Sequence, residues 1–82
     1  MSEMGHDLHA LFPDHGSALH ALKLEDAHFR TLAERHHDVT LEIQRIEDGL
    51  GAASDVRIEA LKKQRLQILD EVSGRITAFE AA

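Results

Sequence analysis

From Ala21 to Glu47, ALKLEDAHFRTLAERHHDVTLEIQRIE, apolar residues return every third and fourth position with no proline or glycine to interrupt them. That spacing is the signature of one apolar face on an α-helix. A heptad frame places Leu22, Phe29, His36, Ile43 and Leu50 at one seam position and Ala18, Glu25, Leu32, Val39 and Ile46 at the other. Eight of these ten are apolar, which describes a coiled-coil-like seam with Glu25 and His36 as its exceptions. Leu19 and Ala33 widen the stripe, and Asp26 with Arg30 is expected to form an i,i+4 charge pair on the outer face. The pattern predicts one long helix over residues 14–48.

The flanking segments complete the picture. Met4, Leu8, Leu11 and Phe12 share a face, so residues 1–13 are expected to hold a short helix. Pro13 closes it by disfavouring helical geometry in the residue before it, and Asp14 or Ser17 is expected to cap the next helix. Residues 49–54 read as a turn: Gly49 and Gly51 suit a left-handed helix end, and Ser54 and Asp55 suit the next start. A final helix over 55–80 carries Ile58, Leu61, Leu69, Val72, Ile76 and Phe79 on its stripe, with Leu66 and Ile68 on the flanks. The stripe drifts off a strict heptad after Arg65, which favours nearly straight packing, and Gly74 weakens the last turns.

The short turn makes the two long helices antiparallel neighbours. The predicted fold is therefore all-α, a single domain of residues 1–82: an antiparallel, coiled-coil-like helical hairpin with a short N-terminal helix. Phe29, Leu32, Val39, Ile43, Ile46, Leu61, Leu69, Val72 and Ile76 form the expected core. Two helices meeting along one seam bury little apolar surface for the residues they order, so a second copy is expected to complete a dimeric helical bundle.

Composition narrows the chemistry. The 82 residues are 43% hydrophobic and 29% charged, which is the range of a folded chain rather than a disordered one. No cysteine is present, so disulfides, thiol catalysis and cysteine-bound zinc are excluded and a cytosolic setting is favoured. The opening MSEMGHDLHALF lacks the basic flank and apolar core of a secretion signal, and no run approaches a membrane span. A net charge of -6 disfavours a protein that coats nucleic acid.

Four groups of residues invite a chemical reading. Seven histidines, His6, His9, His15, His20, His28, His36 and His37, raise the question of a metal. The tightest sets, His6 with His9 and Glu34 with His37, supply only two ligands each where a structural site uses four, so no metal and no cofactor is expected. His36 lies on the seam, where an imidazole either packs as a half-polar filler or acts as a pH switch on association. Asp26 and His28 with Lys23 resemble an acid/base set, yet neighbours on a helix diverge by about 100° per residue and no nucleophile accompanies them. No catalysis is expected, and an i,i+3 pair of Lys23 with Asp26 beside a buried Phe29 is the structural alternative. Arg57, Lys62, Lys63 and Arg65 form a basic cluster, which reads either as a face salt-bridged to Glu59 or as a small site for acidic protein or RNA.

Several stretches together, Lys23, Asp26, Ala27, His28 and Phe29 in KLEDAHFRTL, Arg45-Ile46-Glu47, Leu61-Lys62-Lys63-Gln64-Arg65-Leu66 and Leu69-Asp70-Glu71, resemble the YdcH-like family of short bacterial proteins, a group without an established activity. The chain departs from that family at His36, where members often carry an aromatic residue. The resemblance implies a helical hairpin in a bacterial cytosol and supplies no active site. The expected function is a non-catalytic hairpin that self-associates and binds a protein partner through the surface around Lys23, Asp26 and His28. The alternative is a nucleic-acid-associated regulator acting through Arg57, Lys62, Lys63 and Arg65.

Overall fold

Pro13 cannot donate a backbone hydrogen bond, and the first helix stops just ahead of it. The computed structural model describes residues 4–49 and 55–81, with side chains from Leu8 onward. Its helices are α1 (Met4–Leu11), α2 (Gly16–Glu25), α3 (Ala27–Glu47) and α4 (Asp55–Ala81), and a 3₁₀ turn (Pro13–His15) joins α1 to α2. The fold is all-α. Met4 and His6 fall outside the described side chains, and Leu50, Gly51 and Ser54 outside the described residues.

The single helix expected over 14–48 is two helices. Asp26 adopts an extended conformation, φ -120° and ψ 105°, between α2 and α3. Its carboxylate accepts hydrogen bonds from the amides of His28, at 2.9 Å, and Phe29, at 3.1 Å, and so starts a new helix. The Asp26 amide still bonds to the Leu22 carbonyl, so α2 ends where α3 begins. Arg30 secures the same corner from the other side, its guanidinium donating to the carbonyls of Lys23, at 2.8 Å, and Leu24, at 3.4 Å. The expected Asp26–Arg30 charge pair is replaced by these bonds. Neither Asp14 nor Ser17 caps α2, because the 3₁₀ turn runs straight into it with His15 at the cap position.

At the other end of α3, Gly49 takes φ +79° and its amide bonds to the Ile46 carbonyl, the left-handed stop that glycine adopts without strain. α3 and α4 then run antiparallel, as their cross-helix pairs require: Glu42 meets Arg57 near Gly49, and His28 meets Glu71 near Asp26.

The two ends of this helix pair are built differently. Toward Asp26, α1 and α2 fold back over α3 and α4 and supply Leu8, Ala18, Leu19 and Leu22 to a core shared with Phe29, Leu32, Ala33, Ile68, Val72 and Ile76. Toward Gly49, Ile43 and Leu61 are buried outside that cluster. Of the expected core, Phe29, Leu32, Ile43, Leu61, Val72 and Ile76 are buried. Val39, Ile46 and Leu69 are only half-buried, while Ile68, expected on a flank, is buried. The overall extents are 44 × 26 × 22 Å with a radius of gyration of 13.7 Å. A chain of this length packed without elongation would have about 12 Å, so the molecule is a rod thickened at one end.

Candidate functional site

The polar residues that the seam does not need converge on α4. Asp26, fixed at the corner by its capping role, accepts from Arg75 Nη1 at 2.9 Å across 49 residues of chain. Two residues into α3, His28 Nε2 donates to Glu71 Oε2 at 2.7 Å. Glu71 and Arg75 are themselves an i,i+4 pair at 3.6 Å. Asp26, Arg75, Glu71 and His28 thus form one continuous chain of charge-assisted contacts that holds the α2–α3 corner against the second half of α4. A second histidine-to-carboxylate contact, His15 to Glu80 at 2.8 Å, ties the 3₁₀ turn to the end of α4.

The electrostatics follow from this wiring. The Phe29 amide above all, then Arg75 and the His28 amide, hold the Asp26 carboxyl below the usual carboxylate range against an opposing desolvation. For Glu71 the hydrogen bond from His28 leads, followed by the nearby charges of His28 and Arg75, and the carboxyl is again lowered. Both groups favour the ionised form because their partners are donors, which is the electrostatics of a latch. Asp26 and His28 are each turned to their own partner on α4, Arg75 and Glu71.

Lys23, the third member of the expected partner surface, stands apart. Its carbonyl receives Arg30, but its ammonium makes no ion pair among the described residues, and the expected Lys23–Asp26 pair is not formed because Asp26 is turned to the α3 amides and Arg75. Leu24 beside it is 68% exposed. A shallow cleft of about 290 Å³ lies on the α4 side of the corner, lined by Leu22, Asp26, Arg75, Ala78 and Phe79.

The basic cluster is divided rather than gathered. Arg57 pairs with Glu42, and Lys62 lies 3.5 Å from Glu47. Lys63 is exposed, while Arg65 is half-buried along a cleft of about 400 Å³ with Ala10, Leu11, His36, Thr40 and Leu69. At about 100° per residue these four cations point around the helix rather than along one side. His36 is only 2% exposed, so the imidazole fills a core position at the floor of that cleft. Among the described residues, no three of His, Cys, Asp and Glu come together as a metal would require, and no helix is long and apolar enough to cross a membrane.

The family model described as Protein of unknown function (DUF465) matches residues 29–76, the stretch that contains most of α3 and α4. The chain belongs to this family. It is 32% identical over 62 residues to the uncharacterized protein YdcH of Escherichia coli strain K12, a match that covers 76% of this chain and 84% of that protein. The uncharacterized protein YdcH of Shigella flexneri matches to the same extent. No solved structure matches the chain. The DUF465 match begins at Phe29, so it takes in Glu71 and Arg75 of the latch and leaves Asp26 and His28 just ahead of it. The clue to the latch in the sequence was Asp26 two residues before His28 and three before Phe29, a capping pattern hidden inside an unbroken helical periodicity. The only local signal at Glu71 and Arg75 was their own i,i+4 spacing, because their partners at the corner lie more than 40 residues away.

Proposed function

We propose that this DUF465 protein is a non-catalytic helical module acting by contact in the bacterial cytoplasm. In this reading α3 and α4 are an antiparallel hairpin braced by α1 and α2, two copies associate into a helical bundle, and the assembly engages a protein partner. One observation carries it: apolar surface is left over along the hairpin. Val39, Ile46, Ile58 and Leu69 are only half-buried, and Leu41, Leu66 and, beside them on α1, Leu11 are exposed, while Asp26 and His28 are engaged in holding the fold. Surface of this kind is what helix-to-helix association uses. The protein partner is assigned to the α2–α3 corner, with Lys23 and the projecting Leu24 as its contacts in place of Asp26 and His28.

The nucleic-acid alternative has less in its favour, since Arg57 and Lys62 are partly neutralised by Glu42 and Glu47 and the chain is acidic as a whole. The deciding measurement is the mass in solution by sedimentation equilibrium. A value near twice 9.2 kDa at tens of micromolar chain is expected. A single-chain mass maintained to 100 µM would refute self-association.

A further inference from the structure

We propose that the outward face of α4 centred on Leu66 is the surface through which two copies of this chain meet, α4 against α4 in antiparallel sense. The inference rests on the self-association reading above and names its contact. Leu66 sits near the middle of α4 and is 60% exposed. On one side of it lie half-buried Leu69 and, across the 400 Å³ cleft, Leu11 at 52% exposure. On the other side lie Lys63 and Asp70, two helical turns apart and both exposed, neither with an ion pair among the described residues.

Charge selects both the partner and the direction. Arg57, Lys62, Glu71 and Arg75 are engaged with other parts of the same chain, which leaves Lys63 and Asp70, beside Leu66, to select the direction. A parallel approach of two such helices sets like charge on like. An antiparallel approach about a two-fold axis beside Leu66 sets Leu66 against Leu66 of the second copy. The same approach brings Lys63 opposite Asp70 of the second copy, and Asp70 opposite its Lys63. Because residues on the same flank face each other across such an axis, one register satisfies both pairs. Both copies use the same patch about a two-fold axis, so the contact closes at two copies rather than growing into a filament.

The absence of cysteine makes the test direct. Leu66→Cys places a single thiol at the proposed axis, and Ala60→Cys places one on α4 about 120° away around the helix. Under mild oxidation Leu66→Cys is expected to give a disulfide-linked dimer at least about tenfold faster than Ala60→Cys. In the cysteine-free protein, Lys63→Glu and Asp70→Lys are each expected to weaken the dimer roughly tenfold, and the double reversal to restore it. Far-UV circular dichroism of every variant checks that the helices persist. A dimer that ignores both reversals and cross-links no faster through residue 66 than through residue 60 overturns this surface and leaves self-association standing. A wild-type protein that stays at single-chain mass overturns both.

Discussion

Asp26 performs two tasks with one carboxylate: Oδ1 caps the first amides of α3 and Oδ2 receives Arg75. The tasks are separable. Asp26→Asn keeps an oxygen for the cap and loses the charge, whereas Asp26→Ala loses both, so thermal unfolding is expected to rank wild type above Asn and Asn above Ala. The same residue sets the response to acid. Asp26 and Glu71 have lowered pKa values in the folded protein, so the unfolded chain binds protons first as pH falls. Their contribution is complete above the ordinary carboxylate pKa of about 4 and is lost as pH drops through the lower folded values. The unfolding midpoint is therefore expected to fall below about pH 4, with a shallower fall in an Asp26→Asn, Glu71→Gln double variant measured by circular dichroism.

Among the helices, α3 follows its sequence pattern most closely, with Phe29, Leu32, His36 and Ile43 buried in the heptad frame. The frame failed where it passed through Asp26, because an extended residue between two helices changes their direction without changing the apolar spacing on either side. Glu25, an exception at a seam position, was the trace of this break: it is exposed at the last residue of α2. In α4 the drift in the stripe was legible, but the choice between Ile68 and Leu69 was not. α2, which helps cover the side where Ile68 is buried, was expected to continue straight into α3, and the pattern gave no position for α1. Gly74 offers a test of helix propensity free of packing. It is an exposed interior position of α4 where an added Cβ meets nothing within 4 Å. Gly74→Ala is expected to stabilise by about 1 kcal/mol, raising the melting temperature by about 4–8 °C for a chain of this size.

At the scale of the molecule, the hairpin that the sequence left in need of a partner obtains part of it from its own N-terminal segment. That cover is one-sided: the helix pair has a braced end, with the shared core and the latch, and an end near Gly49 where Ile43 and Leu61 meet outside that core. Stability follows contact density, so opening begins at the lesser end. In native-state hydrogen exchange, amides over 40–46 and 58–62 are expected to exchange at least about tenfold faster than those over 29–36 and 68–76; equal protection would refute this. The consequence is mechanical. The two helices are held at both ends by different means, by the continuity of the chain between Gly49 and Asp55 at one end and by the latch of Asp26, His28, Glu71 and Arg75 at the other. The latch therefore works as a clasp on a loop of chain that is already closed at its far end. Spin labels on Arg30 and Ser73 would then report a narrow spread of distances that broadens in the Asp26→Asn, Glu71→Gln double variant.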